Sequence, residues 1–131
     1  MRFLLDTNAV IALLNDASSR AAQRTRRQRP TDVAISAIVV HELFYGAFKS
    51  RRVTQNVAVI DALQFAVLEF DREDARRAGE IRAVLASKGS MIGPYDVLIA
   101  AQAVARDMIL VTNNANEFGR VPGLRIEDWQ A

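Results

Sequence analysis

The sequence predicts an α/β fold in which a central parallel β-sheet carries helices on both faces. Short apolar segments with strand character recur at Arg2 to Leu5, Val33 to Ile35, Ala66 to Phe70, Met108 to Val111 and Leu124 to Glu127. Helical patterns fall between them. Parallel neighbours need crossover connections, and those helices supply them.

The first strand ends at Asp6-Thr7-Asn8, a cap for the apolar turns Ala9 to Leu14. A basic helical stretch, Ser18 to Gln28, is broken by Pro30-Thr31-Asp32 before the second strand. Ser36 can cap the next helix, Ala37 to Lys49, whose Val40, Leu43, Phe44, Ala47 and Phe48 share one face at i, i+3, i+4, i+7, i+8 spacing. That face is expected to pack on the sheet. A helix from Val53 to Phe65 leads into the third strand. From Asp71 to Ser87 a charged amphipathic helix turns Ala75, Ala78, Ile81 and Leu85 inward and closes on Lys88-Gly89-Ser90. Gly93-Pro94 opens a helix of small apolar residues through Ala105, because proline suits a first helical turn. Thr112-Asn113-Asn114 then ends the fourth strand, and a short turn at Glu117-Phe118 precedes the last one.

At 131 residues the chain is expected to form one domain, residues 1–131, around one core. Hydrophobic residues make up 50% and charged ones 24%, which is the balance of a soluble globular protein. No cysteine is present, so a metal would have to be held through oxygen or the lone His41. That chemistry suits a reducing cytoplasm. The apolar start Phe3-Leu4-Leu5 does not read as a secretory signal, since Asp6 and Asn8 interrupt it. No apolar run approaches the roughly 18 residues of a membrane span.

Seventeen basic against fifteen acidic residues leave a net charge of +2, yet only Lys49 and Lys88 are lysines. Arg20, Arg24, Arg26, Arg27 and Arg29 crowd one stretch, and arginine offers a planar fork suited to phosphate oxygens. The cluster reads either as a solvated helix face or as a contact for nucleic acid. In the second case Arg24 and Arg27 are the expected contacts to nucleic-acid phosphates.

In open parallel sheets, ligands sit beyond the carboxyl ends of the strands. Asp6 ends the first strand, Glu42 lies on the helix after the second, and Asp96 opens the helix before the fourth. Singly, Asp6 reads as a cap and Asp96 as a favourable partner of a helix dipole. Glu42 is harder to explain that way, because its helical neighbours Ile38 and Tyr45 do not make a polar face. Three gathered carboxylates repel one another unless a cation offsets them. Oxygen-only donors suit magnesium, with manganese as a substitute, and the chemistry such ions support is hydrolysis of a phosphodiester. Thr7, Asn8, Ser36 and Thr112 place hydroxyls or amides near the same rim, where they either cap helices or orient ligands. His41 reads as structural, and Phe44 and Tyr45 read as core or interface.

Met1-Arg2-Phe3-Leu4-Leu5-Asp6-Thr7-Asn8, Ile35-Ser36, His41-Glu42-Leu43 and Tyr45-Gly46 resemble the opening half of a PIN-domain ribonuclease of the VapC toxin type. Ile92-Gly93-Pro94-Tyr95-Asp96, Leu98-Ile99-Ala100, Leu110-Val111-Thr112-Asn113-Asn114 with Glu117-Phe118, and Val121-Pro122-Gly123-Leu124-Arg125 with Glu127-Asp128-Trp129 resemble its closing half. The resemblance spans nearly the whole chain in order. It implies a PIN-like fold and a magnesium-dependent endoribonuclease acting on structured RNA such as tRNA. It also implies a homodimer and a cognate VapB-type antitoxin. Its acidic positions fall on Asp6, Glu42 and Asp96, as catalytic and metal-holding residues. The position often acidic after the fourth strand is Asn114 here, and Glu117 either compensates or is an exposed acid on a surface turn. That departure leaves a second reading, a PIN-like RNA-binding protein with weak or no activity.

Other classes fit less well. A haloacid-dehalogenase-type phosphatase needs an aspartate where Asn8 stands. A phosphoacceptor signalling domain needs an aspartate after the third strand and a lysine near the last, and neither is in place. No glycine-rich nucleotide-binding loop occurs.

Overall fold

The computed structural model describes residues 1–131. The strands are β1 (Phe3–Leu5), β2 (Val33–Ser36), β3 (Ala66–Leu68), β4 (Ile109–Val111) and β5 (Arg125–Glu127). The helices are α1 (Thr7–Asn15), α2 (Arg20–Arg26), α3 (Ala37–Lys49), α4 (Val53–Asp61), α5 (Arg72–Ser87), α6 (Pro94–Ala105) and α7 (Ala115–Phe118), with one 3-10 turn at Pro30–Asp32. All strands pair in parallel in the order β3-β2-β1-β4-β5. The α/β expectation holds. No helix is long and apolar enough to cross a membrane.

Central strands β1, β2 and β4 are buried along their whole length, which is why they read as unbroken apolar runs. The chain adds β2 and β3 on one side of β1, then crosses to place β4 and β5 on the other. The topology therefore switches direction between β1 and β4, where such sheets leave a crevice at their carboxyl edge. Register completes the arrangement. Leu5 is level with Ile35 and with Val111, so the next residues, Asp6, Ser36 and Thr112, stand side by side at that edge.

Several elements depart from the sequence expectation. Helix α3 turns Val39, Leu43 and Ala47 into the core, while Phe48 is 64% exposed and leans on Phe44 across 6.2 Å. Helix α4 ends at Asp61 instead of running to Phe65, because Leu63 and Phe65 leave the helix to pack against the core. Strand β3 stops at Leu68 and not at Phe70, since its partner β2 ends opposite it at Ser36 and passes into a helix.

On α5 the inward residue is Asp74, 1% exposed, and Ala75 faces solvent. Arg106 Nη2 donates to Asp74 Oδ2 at 2.9 Å and to the Glu69 carbonyl at 2.9 Å, while Gln102 Nε2 reaches the same two groups at 3.2 and 2.9 Å. Burial pushes the Asp74 carboxyl up, but Arg106, the Asp71 N–H and the Gln102 amide outweigh it and hold the group below the ordinary range. A depressed acid contributes stability above its unfolded pKa, and that contribution is lost as pH falls through the lower folded value. Arg106→Ala leaves the buried carboxylate short of a partner and should cost about 2–4 kcal/mol, less than a fully buried pair because Arg106 is itself 30% exposed. Urea unfolding near neutral pH measures this. A loss under about 0.5 kcal/mol would show that the remaining donors suffice.

Candidate active site

Asp6 follows β1 directly, caps α1 by accepting the Ala9 N–H at 2.8 Å, and is 4% exposed. Burial raises its pKa, against the pull of the Thr112 hydroxyl and the Ala9 N–H, and the nearby Glu42 charge raises it further. The capping role and the rim position are thus one and the same. Thr112 is 1% exposed and also accepts the Asn114 N–H at 3.0 Å, so it braces the loop after β4.

Glu42 projects from the second turn of α3, and Thr7 Oγ1 donates to its Oε1 at 2.8 Å. Ser36 caps that helix by accepting the Ile38 N–H at 3.0 Å, which fixes where Glu42 emerges. Asn8 is exposed at the start of α1.

Asp96 lies in the first turn of α6, where Pro94 opens the helix. Its pKa is pushed up to about 6, first by burial and then by the charges of Glu117, Glu42 and Asp6. Four acids on four different elements therefore feel one another. No three acidic or histidine side chains stand close enough together to hold a metal ion as they are, although the charges of Glu117, Glu42 and Asp6 reach Asp96.

The structure settles the place of Glu117. It is half-buried, and its Oε1 accepts the Gly93 N–H at 2.6 Å while Oε2 accepts from Asn114 Nδ2 at 2.9 Å. The Gly93 N–H and the Asn114 amide hold its pKa below the ordinary range. It also shares a hydrogen bond with Asp96 that favours the protonated form of Asp96 and the ionised form of Glu117. Asn114 stands one step back: its Oδ1 accepts the Glu117 N–H at 3.3 Å and its amide holds the Glu117 carboxylate. Gly93 leaves room for the acids: a β-carbon there would stand 3.1 Å from Asp96 Oδ2 and 3.4 Å from Glu117 Oε1, so those carboxylates would have to shift by a few tenths of an ångström to admit one.

Of the arginine pair, Arg27 is exposed. Arg24 lies 3.8 Å from Glu127, donates to the Asp128 carbonyl at 3.3 Å and covers the Trp129 ring at 5.8 Å.

The donor set is made of oxygens alone, its like charges raise the pKa values of Asp6 and Asp96, and it lies at the switch point of a parallel sheet. Oxygen donors are the kind a hard divalent cation takes. The fold and rim define a PIN domain, whose family profile matches residues 3–124. The chain is 41% identical over 98% of both chains to the tRNA(fMet)-specific endonuclease VapC of Salmonella typhimurium. Among solved structures, the DNA-bound VapBC of Salmonella typhimurium superposes with a TM-score of 0.94 at 41% identity, covering 98% of each chain. VapBC2 of Rickettsia felis, bound to a promoter DNA fragment, gives 0.91 at 34% identity, covering 98% and 99%. The chain belongs to the VapC family of PIN-domain ribonucleases.

Proposed function

We propose that this chain is a magnesium-dependent endoribonuclease toxin that hydrolyses phosphodiester bonds in structured RNA such as tRNA and is neutralised in the cytoplasm by a VapB-type antitoxin. The carrying observation is the placing of Asp6, Glu42, Asp96 and Glu117 near enough for their charges to act on one another at the carboxyl edge of a PIN-domain sheet. The Salmonella relative, described as specific for tRNA(fMet), supports tRNA as the substrate class.

Asp6, Glu42 and Asp96 would hold the cation, with manganese as a substitute. When bound, it supplies an acidified water and neutralises charge on the transferring phosphoryl group. The protein does the rest. The Thr7 hydroxyl fixes the orientation of Glu42, the Thr112 hydroxyl that of Asp6, and the Gly93 N–H with Asn114 that of Glu117. The N-termini of α1 and α6 direct their positive ends at the same rim, which favours both carboxylates and substrate phosphate. Glu117 supplies a fourth acid where Asn114 does not, and its charge reaches Asp96. That supports the active reading over the inactive, RNA-binding one.

The antitoxin is expected to lay an apolar helix beside α3 and α4. There a cavity of about 320 Å³ is lined by Ile11, Leu14, Leu43, Ala47, Val59 and Ile60. Val59 and Tyr45 add exposed apolar surface, at 46% and 62%. An arginine from the partner would pair with the rim carboxylates and block the substrate path. A homodimer is part of the same proposal and is read directly by light scattering.

The test is cleavage of purified tRNA with magnesium, with manganese and with chelator, repeated after co-purification with the antitoxin. Cleavage that survives full chelation removes the metal from the proposal. Full activity in the complex removes the antitoxin.

Arg24 and Arg27 are proposed to meet RNA phosphates, since the acidic rim itself repels them. The Arg24–Glu127 contact is long and exposed, and a phosphate can replace it at little cost. Replacing both arginines by alanine should shallow the salt dependence of RNA binding by about 1.4 log units per log unit of salt for a single strand. An unchanged slope in a salt titration returns the cluster to solvent.

A further inference from the structure

Two aromatic side chains flank the acidic rim without belonging to it. His41 directly precedes Glu42 on α3, and Tyr95 directly precedes Asp96 on α6. Their ring centroids lie 4.9 Å apart with planes inclined by 57°. His41 is exposed and Tyr95 is 48% exposed, so the ring pair is open to solvent as well as packed on itself. Tyr95 also lines a cavity of about 480 Å³ walled by Met91, Pro94, Leu98 and Arg82, which leaves open space beside the ring for a planar group.

Because His41 and Tyr95 adjoin Glu42 and Asp96 in the chain and contact each other, a nucleotide flanking a phosphate held at those acids would lie near the ring pair. The carboxylates repel phosphates that the cation they would hold does not meet, so contacts indifferent to phosphate charge add affinity beside the rim. Stacking of an unpaired base on an aromatic face is such a contact, and it also compensates the base for the neighbours it loses when splayed out. We propose that His41 and Tyr95 form a stacking platform that seats an unpaired nucleobase beside the scissile phosphate. This rests on the ribonuclease reading above and adds to it the residues that select which phosphate is presented.

The experiment compares the full chain with Tyr95→Leu, His41→Leu and Tyr95→Phe. Two dye-labelled probes are titrated by fluorescence anisotropy: a short oligoadenylate and an abasic oligomer with the same ribose-phosphate backbone. Tyr95→Leu and His41→Leu should each weaken oligoadenylate binding by roughly five- to a hundredfold, while abasic binding stays at the parental value. Tyr95→Phe keeps the ring and should bind like the parent. Equal losses on both probes, or none on either, overturn the platform. A Tyr95→Leu chain with parental RNA affinity but a changed oligomeric state or lost antitoxin binding places the pair in a protein interface instead, which also overturns it. If the parent cuts tRNA yet does not prefer oligoadenylate over the abasic strand, the platform falls and the nuclease reading stands. If the parent neither binds nor cuts RNA, both fall.

Discussion

Asp6→Asn, Glu42→Gln and Asp96→Asn should each slow RNA cleavage by at least about a hundredfold, because losing even an outer partner of a metal ligand commonly costs 10- to 100-fold. Each substitution removes a charge and one donor from the rim while keeping the side-chain shape, so the fold should persist. Stability separates this from damage to the protein. Asp96 carries a pKa raised to about 6 by burial and by Glu117, Glu42 and Asp6, so its ionised form is disfavoured in the metal-free fold. Asp96→Asn should then raise the metal-free melting temperature by about 3–6 °C, corresponding to roughly 1 kcal/mol for a domain of this size. Magnesium should reverse the order. A ligand at a hundred times its Kd stabilises by about 2.7 kcal/mol, and only the parent has the full donor set. Melting curves with and without magnesium, alongside cleavage rates, distinguish the outcomes. Parental activity in any one variant takes that residue out of the site, and a variant that melts lower without metal contradicts the repulsion argument.

The strands and their order of appearance were legible because β1, β2 and β4 are buried on both faces and carry apolar residues throughout, apart from Ser36 at the end of β2. Helix starts were legible where a capping side chain announces them, as Ser36 and Asp71 do, or where Pro94 opens the turn. Local signals of this kind depend on a few adjacent residues. Long-range pairing does not leave such a mark. Nothing near Asp74 in the chain indicates that Arg106 will neutralise it, and spacing alone turned Ala75 inward instead. Phe48 fits the same helical stripe as Leu43 and Ala47, yet the sheet is too narrow to cover a stripe that wide, and the ring stays outside. For the site, the acids at strand and helix ends could be listed from sequence, but their meeting depends on register. Asp6, Ser36 and Thr112 come level only because Leu5 pairs with both Ile35 and Val111. Glu117 was the residue left undecided. Its position follows from the Gly93 N–H, contributed by a loop 24 residues away. The available signal was chemical: an acid three residues after Asn114, at the spacing by which a capped short helix turns its third residue back toward the cap.

Glu117→Gln should lower the Asp96 pKa from about 6 toward the ordinary carboxylate range, since Glu117 is its strongest charged neighbour and its hydrogen-bond partner. The consequence for stability has a definite sign. An acid whose folded pKa lies above its unfolded value stabilises the metal-free fold at low pH, and that contribution is lost as pH rises through the folded pKa. The depressed Glu117 adds stability of the opposite sign at lower pH, so the comparison is made above the ordinary carboxylate range, where Glu117 is already ionised. From there up through about pH 6 the parent should lose stability, and the variant should lose less. Asn114→Ala makes the contrast. It removes the amide that holds Glu117 Oε2 at 2.9 Å but leaves the charge, so the pH dependence should persist while the carboxylate loses its orientation. Cleavage should fall by about 10- to 100-fold in Glu117→Gln if the fourth acid orients the cation or its water, and by less in Asn114→Ala, where the Gly93 N–H still holds the carboxylate at 2.6 Å. Metal-free melting temperatures across the acid range and cleavage rates at neutral pH read both effects. A Glu117→Gln chain with the parental pH profile and the parental rate would reduce Glu117 to a partner of the Gly93 loop, with no part in the chemistry.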